Sequence, residues 1–230
     1  MRIVILAAGV GRRLEGGEEV PKALMSLHDG RSILEQQLDN IALYHSIKDV
    51  VVIVGYKQQH LRRAFHHLTF VENTHFAQTN TAKSLLLGMQ DLEAGPILWL
   101  NGDVVFHPTL LGPLIARDRT AMVVNHATVG EEEVKYCTDG VGRIIEVSKQ
   151  VKEPEGEALG INYCAEGDCI ALRDSLEKCE DNDYFEAGIE ASIQSGIEVW
   201  AHPIVSHDCV EIDFAEDLDR ANGLLQEWQH

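Results

Sequence analysis

Two glycines and two basic residues near the start of the sequence have the types and spacing of a phosphate-binding segment. Gly9 and Gly11 follow the largely apolar run 2–7, Arg12 comes soon after, and Lys22 lies further along the chain. Glycine lets a backbone approach phosphates closely and exposes its N–H groups to them. The planar guanidinium of Arg12 can bind phosphate oxygens through paired hydrogen bonds. These residues favour binding of a polyphosphate, although a tight strand-to-helix turn explains the two glycines equally well.

Two common nucleotide-binding motifs do not fit this segment. The dinucleotide fingerprint requires a third glycine at position 14, where the chain has Leu14. The P-loop requires Gly-Lys followed by Ser or Thr, and that tripeptide is absent from the sequence. An NAD-binding module is therefore disfavoured.

The elements that must position these residues alternate between strands and helices. This rhythm is typical of an α/β layered fold with a Rossmann-like, mostly parallel mixed sheet flanked by helices. Ligands of such sheets bind at the carboxyl ends of the strands, so we expect the site just after Ala7, Val54 and Leu100. The predicted strands of the first half are 2–7, 50–54, 96–100 and 120–124, and the predicted helices are 32–45, 57–67, 81–93 and 108–118.

The alternation changes after about residue 126. Residues 133–137 and 143–147 predict a hairpin about Asp139-Gly140, and residues 152–157 predict a loop. No linker-like stretch divides the chain, so we predict a single domain over residues 1–230. The remaining predicted elements are strand 159–164, helices 168–178 and 183–194, strand 198–201 and a last helix over 215–227.

The motifs, taken in order, resemble those of the sugar-phosphate nucleotidyltransferases and their cytidylyltransferase relatives. The glycine segment 9–14 followed by Pro21-Lys22 resembles the opening motif of that family, and residues 79–85 resemble its base-reading segment. Residues 101–103 resemble its metal-binding aspartate motif, and residues 210–213 resemble its closing motif with a second metal-binding aspartate. The resemblance covers nearly the whole chain. It is strongest to the short enzymes that use CTP with phosphocholine, inositol phosphate or aminoethylphosphonate.

The resemblance implies transfer of a nucleoside monophosphate, CMP from CTP, to a small phosphorylated acceptor with release of pyrophosphate. Both reactants are anions, so charge repulsion and positioning form the main barrier. A phosphomonoester has its second pKa near ~6 and is largely ionised at neutral pH, so no general base is required. Two carboxylates that hold Mg²⁺, together with fixed cations, suffice for this chemistry.

The resemblance also implies a role for individual residues. Asp103 and Asp213 are the predicted Mg²⁺ ligands, and Arg12, Lys22 and Lys149 are the predicted catalytic cations. Alternative roles stay open: both aspartates fit a turn or a helix N-cap, and both lysines fit an exposed surface. The predicted nucleotide-binding residues are Leu6, Ala7, Ala8, Gly9, Gly11, Arg12, Lys22, Tyr56, Asn80, Thr81, Ser84 and Gly102.

Three of these nucleotide contacts have structural alternatives. Asn80 and Ser84 can offer the donors and acceptors that a pyrimidine edge requires, but helix capping fits them as well. Tyr56 fits core packing as well as a nucleotide pocket.

The distribution of charge indicates which part of the chain faces the acceptor. The net charge is −18; residues 1–125 carry 12 basic and 12 acidic residues, whereas residues 126–230 carry 7 and 25, and 7 − 25 = −18. We therefore interpret residues 1–125 as the NTP-binding half and 126–230 as the acceptor-binding half. We predict an acceptor with a cationic nitrogen, contacted by Tyr184, Glu186 and Glu211, with Lys149 on its phosphate. A neutral polyol such as inositol phosphate stays open, because the excess acid also fits a solvated surface.

Composition excludes several other classes of protein. The chain is 45% hydrophobic and 24% charged, like an ordinary globular protein, and no apolar run approaches the ~20 residues that span a bilayer. We expect a cytoplasmic protein with no membrane insertion. The net negative charge argues against nonspecific nucleic-acid binding. Five cysteines without a Cys-x-x-Cys pair indicate reduced thiols rather than a disulfide framework or zinc site.

Two other functions stay open at this point. One is a sugar-1-phosphate uridylyl- or thymidylyltransferase, which needs the same motifs. The other is a nucleotide-sensing domain without turnover, against which the joint presence of Lys22, Asp103 and Asp213 argues. The sequence leaves open the acceptor, the choice between CTP and UTP or dTTP, and whether the chain forms a homo-oligomer.

Overall fold

The computed structural model of this protein describes residues 1–11, 20–92, 94–205 and 207–228. In this part of the chain, strands and helices alternate as predicted, and helices pack on both faces of a central sheet. The strands are β1 (Arg2–Ala7), β2 (Val50–Val54), β3 (Thr69–Glu72), β4 (Ile97–Asn101), β5 (Val104–Phe106), β6 (Ala121–Asn125), β7 (Lys135–Thr138), β8 (Ile144–Ser148), β9 (Gly156–Cys164), β10 (Trp200–Pro203) and β11 (Cys209–Glu211). The helices are α1 (Ile33–Ala42), α2 (Gln58–Ala64), α3 (Thr81–Met89), α4 (Leu111–Ala116), α5 (Cys169–Lys178), α6 (Phe185–Gln194) and α7 (Ala215–Glu227).

The central sheet has the strand order β10-β6-β9-β4-β1-β2-β3, with the β7–β8 hairpin paired to β9. The pairs β1–β2, β1–β4, β2–β3 and β6–β10 are parallel, and β9 is antiparallel to both β4 and β6. The predicted fold class, a mostly parallel mixed sheet flanked by helices, is confirmed. Strands β5 and β11 form a separate antiparallel pair.

Strand β1 lies in the middle of the sheet because its residues are apolar on both faces. Ile3 and Ile5 pack in one core cluster with helix α1, and Val4 packs in the other with helix α3. Strands buried on both faces are typical of parallel sheets. The chain proceeds from β1 to β2 on one side and reaches β4 on the other. The crevice between the ends of β1 and β4 is therefore a topological switch point, where ligands of such folds bind.

Helix α1 fixes the turn that follows β4. Ser32 caps the helix: its hydroxyl accepts from the Glu35 N–H at 3.2 Å, and the Glu35 carboxylate accepts from the Ser32 N–H at 2.6 Å. One turn later, the buried Gln37 amide donates to the carbonyls of Asn101 at 2.9 Å and Val104 at 2.8 Å. These two bonds bracket residues 102 and 103, and so hold the turn that carries Asp103.

Several strand and helix boundaries differ from those predicted from the sequence. Most of the differences occur where pairing between strands distant in the chain determines the structure. The short strands β3, β5 and β11 are not predicted, because three or four residues carry no clear periodicity. The predicted loop over 152–157 is wrong at its end, since β9 begins at Gly156 and pairs with β7 and β6. The predicted helix 81–93 ends at Met89, and Asp91 has a φ of 57° that a helix does not allow.

In the described ranges no helix is long and apolar enough to cross a membrane.

Candidate active site

A cavity of about 580 Å³ opens at the carboxyl ends of β1 and β4. It is lined from both predicted halves of the chain, and most predicted site residues lie on its wall. These are Leu6, Ala7, Ala8, Gly9, Gly11, Lys22, Asn80, Thr81, Ser84, Gly102, Asp103, Lys149, Tyr184, Glu186, Glu211 and Asp213.

Two predicted site residues remain. Arg12 lies outside the described residues. Tyr56 is not on the cavity lining; its ring lies 6.3 Å from that of Phe76, which is on the lining. The Tyr56 N–H donates to the Ala8 carbonyl at 3.1 Å. Tyr56 thus contacts the first turn of the site through its backbone.

Gly11 is required where the first turn meets Lys22. Its φ is +66°, in the left-handed region that residues with a Cβ rarely adopt. A Cβ at this position would lie only 2.8 Å from Cγ of Lys22. The absence of a side chain at Gly11 therefore lets the lysine cross the turn and reach into the cavity.

The ammonium of Lys22 joins two carboxylates that are far apart in sequence. Its Nζ lies 3.2 Å from Oδ2 of Asp103 and 2.5 Å from Oδ1 of Asp213. Burial lowers the pKa of Lys22, but the two carboxylates together outweigh it and raise that pKa above its ordinary value. Burial and the charge of Asp213 raise the pKa of Asp103, against the lowering effect of Lys22.

The backbone N–H groups beside Asp213 are bound by another carboxylate. The Asp217 carboxylate accepts from the N–H groups of Asp213 at 3.0 Å and Phe214 at 2.8 Å, so Asp217 serves the start of α7. The Ile212 N–H donates to the Asp103 carbonyl at 3.0 Å, which ties the two aspartate segments together. The alternative role of Asp213 as a helix cap does not match this arrangement.

The predicted base-reading segment lies at the start of helix α3. Oδ1 of Asn80 accepts from the Thr81 N–H at 2.9 Å, so Asn80 is the N-cap of this helix. The buried Ser84 hydroxyl accepts from the Asn73 amide at 3.1 Å, and the Thr81 hydroxyl accepts from the Phe185 N–H at 3.0 Å. Asn80, Thr81 and Ser84 all line the cavity, and each also makes a hydrogen bond within the protein.

The second half contributes a charged wall opposite this segment. The Lys149 Nζ lies 5.2 Å from the ring centroid of Tyr184 and 3.5 Å from Oε2 of Glu132. Glu186, in the first turn of α6, is only 7% exposed, and burial raises its pKa to about 7, although Lys149 lowers it. Oε1 of Glu211 accepts from the Gly160 N–H at 2.6 Å.

Sequence reasoning missed several residues of the lining. Asn125 ends strand β6, so the rule that ligands bind at the carboxyl ends of strands would have found it. Its amide donates to Glu157 at 3.0 Å, and burial raises the pKa of that carboxyl. Glu157 was assigned to the predicted loop, and no sequence signal marks it. Asn73, Asn101, Asp217 and Arg220 also line the cavity.

The lining is strongly acidic. Among its described residues the basic ones are Lys22, Lys149 and Arg220, and the acidic ones are Asp103, Glu132, Glu133, Glu157, Glu186, Glu211, Asp213 and Asp217. These carboxylates repel a polyphosphate, because like charges repel at short range, so cations are needed to offset them.

The comparisons with known proteins agree with this geometry. A family model described as the MobA-like NTP transferase domain matches residues 3–157. The CMP-5'-(3-aminopropyl)phosphonate synthase of Streptomyces rubellomurinus is 35% identical over 134 residues, which cover 54% of this chain and 20% of that protein. The chain thus spans about a fifth of the length of this relative. The UTP–glucose-1-phosphate uridylyltransferase AglF of Haloferax volcanii is 28% identical, over 99% of this chain and 97% of that protein.

A solved structure shares the fold along the whole chain. The inositol-1-phosphate CTP transferase from T. maritima superposes with a TM-score of 0.84 at 18% identity, covering 100% of this chain and 96% of that one. The resemblance predicted from the sequence motifs is thereby confirmed. The switch-point cavity, the family match over the glycine turn and the aspartate turn, and the shared fold lead to one conclusion: the chain belongs to the MobA-like NTP transferase domain family.

Proposed function

We propose that this protein is a cytidylyltransferase, which transfers CMP from CTP to a small phosphorylated or phosphonate acceptor and releases pyrophosphate. One observation carries the proposal: Lys22, Asp103 and Asp213 converge in a cavity of about 580 Å³ that is also lined by the glycine turn. A nucleotide-sensing domain needs the turn but not this set of one lysine and two carboxylates.

The reaction joins an oxygen of the acceptor phosphate or phosphonate to the α-phosphorus of CTP and breaks the bond from that phosphorus to the pyrophosphate oxygen. The proposed role of the glycine turn is to bind the triphosphate through backbone N–H groups. Lys22 stabilises the negative charge that develops on the α-phosphate in the transition state, and Lys149 binds the acceptor anion. The walls of the cavity hold both anions in position for in-line attack.

Asp103 and Asp213 would hold Mg²⁺ in this proposal. The fit is good, because Mg²⁺ is usually bound by one or two carboxylates together with substrate phosphates. In the described residues no group of three or more His, Cys, Asp or Glu side chains is able to hold a metal ion. When bound, the ion would supply charge neutralisation at the phosphates.

The choice of CTP rests on the relatives. The Streptomyces relative is named for a CMP product. The Haloferax relative, which matches the chain almost end to end, is named for UTP and glucose 1-phosphate. Uridylyl transfer to a sugar 1-phosphate is therefore the second candidate function.

Pyrophosphate release tests the proposal directly. The protein is assayed with ATP, CTP, GTP and UTP against 2-aminoethylphosphonate, phosphocholine, inositol 1-phosphate and glucose 1-phosphate. We expect CTP to give the highest kcat/KM, with a CMP-linked product detected by mass spectrometry. A preference for UTP with glucose 1-phosphate would establish the second candidate instead. Binding of NTP without turnover of any pair would support the sensing domain.

A further inference from the structure

Two neighbouring glutamines of helix α1 bind different parts of the segment that contains β4 and β5. Nε2 of Gln37 donates to the carbonyls of Asn101 at 2.9 Å and Val104 at 2.8 Å, on either side of the turn between the two strands. Nε2 of Gln36 donates to the carbonyl of Phe106 at 2.7 Å, at the far end of β5. The side chains of Gln37 and Gln36 are 0% and 1% exposed. Of these two buried amides, that of Gln37 acts on the turn that carries Asp103.

The backbone of this turn is attached to three different layers of the fold. The Gly102 N–H donates to the Leu6 carbonyl of β1 at 2.9 Å, and the Asp103 carbonyl accepts from the Ile212 N–H at 3.0 Å. The carbonyls just before and just after these two turn residues are the ones that Gln37 binds. The first two attachments are backbone to backbone. Gln37 adds the third, to the helix layer, through a side chain.

The placement of this turn determines how the two proposed metal ligands face each other. Nζ of Lys22 lies 3.2 Å from Oδ2 of Asp103 and 2.5 Å from Oδ1 of Asp213, so the two carboxylates converge on one point. Mg²⁺ requires near-ideal octahedral geometry, with oxygen ligands at about 2.0–2.1 Å. A small shift of the turn would change both the distance and the angle at which Asp103 meets such an ion. Metal binding is therefore sensitive to whatever holds this turn.

The other half of the Gln37 amide makes no comparable contact. Its Oε1 is buried without a hydrogen-bond partner within the described ranges, and the same holds for Oε1 of Gln36. A buried acceptor in this state loses its hydration, and that cost offsets part of the stability that the donated bonds supply. The net contribution of either amide to stability is therefore modest. The two glutamines share residue type, burial and this cost, and they differ in the carbonyls that they bind.

We propose that Gln37 is a positioning residue for the reaction: its amide binds the backbone on both sides of residues 102 and 103 and holds Asp103 where it shares an ion with Asp213. The inference rests on the proposed function and adds a residue that is not on the cavity lining. Because Gln37 acts through Asp103, its loss weakens binding of the metal ion and lowers kcat, and leaves binding of the nucleotide without metal unchanged.

Gln37→Met tests this role, because methionine is an unbranched side chain of similar size that has no N–H donor. Titration calorimetry measures Mg²⁺ binding to the complex with a non-hydrolysable CTP analogue, and pyrophosphate release gives kcat. We expect at least fivefold weaker Mg²⁺ binding and at least a tenfold lower kcat. Affinity for the analogue in EDTA should stay within twofold of wild type. Mg²⁺ affinity within twofold of wild type would overturn the inference.

Gln36→Met is the matched control, since it removes the same group from the same helix at nearly the same burial. Asn40 also donates to the Phe106 carbonyl, at 2.7 Å, so that acceptor keeps a partner in this variant. Urea unfolding measures the stability of both variants. We expect Gln36→Met to keep Mg²⁺ affinity and kcat within twofold of wild type. Equal losses of Mg²⁺ affinity in the two variants would show a general loosening of α1, and the inference would fail.

Gln37→Asn is the second variant and serves if Gln37→Met does not fold. It keeps a donor amide but is one methylene shorter, so it cannot bind both carbonyls in the same way, and we expect at least threefold weaker Mg²⁺ binding. Failure of the proposed function has a different signature. If the wild type releases no pyrophosphate with any NTP and acceptor, cytidylyl transfer is wrong, whereas the Mg²⁺ titrations still decide whether Gln37 positions Asp103.

Discussion

The Nζ atom of Lys22 lies 2.5 Å from Oδ1 of Asp213, which is 191 positions away in the chain. The same ammonium reaches Asp103 at 3.2 Å, so one cation holds together the aspartates of two turns. Without Lys22, two carboxylates would face each other across a partly buried site. In the structure, Lys22 compensates the charge of these two carboxylates. In the proposed reaction, Mg²⁺ brought with the nucleotide would compensate the same charges.

The two aspartates are expected to be essential for turnover. Asp103→Asn and Asp213→Asn should each lower kcat by at least about 100-fold, since each removes an anionic ligand of a hard cation. The measurement is pyrophosphate release at saturating CTP and Mg²⁺, with circular dichroism to show that each variant is folded. Asp219→Asn, exposed on α7 and off the lining, serves as the control and should retain normal activity. Near-normal kcat in either site variant would remove that residue from the proposed metal site.

Mg²⁺ and CTP are expected to bind cooperatively. In the proposed site two carboxylates would hold the ion, and Mg²⁺ bound in this way usually takes further ligands from substrate phosphates. Titration calorimetry should show weak Mg²⁺ binding to the protein alone and at least tenfold tighter binding in the presence of a non-hydrolysable CTP analogue. Coupling free energy is reciprocal, so Mg²⁺ should tighten analogue binding by the same factor. Equal affinities in both titrations would contradict this arrangement.

Lys22→Met is expected to lower kcat far more than the affinity for CTP. Methionine keeps much of the apolar stem but removes the charge, which is needed most as the transition state forms. Single-turnover kinetics and CTP binding would be measured side by side. If only KM rose, Lys22 would be a ground-state binding group, and its proposed catalytic role would be wrong.

Gly11→Ala is expected to disturb Lys22 although the substitution adds a single methyl group. The added Cβ would lie 2.8 Å from Cγ of Lys22, and the φ of +66° adds roughly 1–2 kcal/mol of backbone strain. We expect both a lower free energy of unfolding and at least a tenfold loss of kcat. Gly167→Ala is the matched control, because a Cβ there meets nothing within 4 Å. Full activity of Gly11→Ala would show that Lys22 does not depend on this turn.

The sequence predicted most of the fold because its main elements are long and strongly patterned. Strand β1 and helix α7 have the predicted bounds. The strand is a short apolar run and the helix is a periodic acidic segment, and each pattern favours one type of element clearly. The short pair β5 and β11 could not be predicted, because three-residue strands are determined by their partners.

The residues of the candidate site, like the elements of the fold, could be predicted only in part. Motifs located Lys22, Asp103 and Asp213, but no sequence pattern indicates that Asn101 and Glu186 each keep a buried oxygen without a partner among the described residues. That property depends on what surrounds each side chain in three dimensions, and the resemblance to a family does not carry it.

The stability of the protein is expected to fall with pH because of Glu186. Burial raises the pKa of Glu186 to about 7 from an ordinary value of 4.5, so between these values the folded state holds a proton that the unfolded state has lost. The unfolded chain binds fewer protons there, so the free energy of unfolding decreases as pH rises from 4.5 to about 7 and stays reduced above it. A shift of this size corresponds to at most about 3 kcal/mol.

Glu186→Gln removes this titration and should therefore stabilise the protein at alkaline pH. We expect a gain of about 1–3 kcal/mol at pH 8 that vanishes towards pH 5, because the glutamate is then protonated and also neutral. Urea unfolding of the wild type, Glu186→Gln and the control Glu190→Gln at several pH values measures it, and the control, one helical turn further along α6, should stay within about 0.5 kcal/mol of wild type. A Glu186→Gln variant that is less stable than wild type at pH 8 would mean that the carboxylate has a structural partner in the fold.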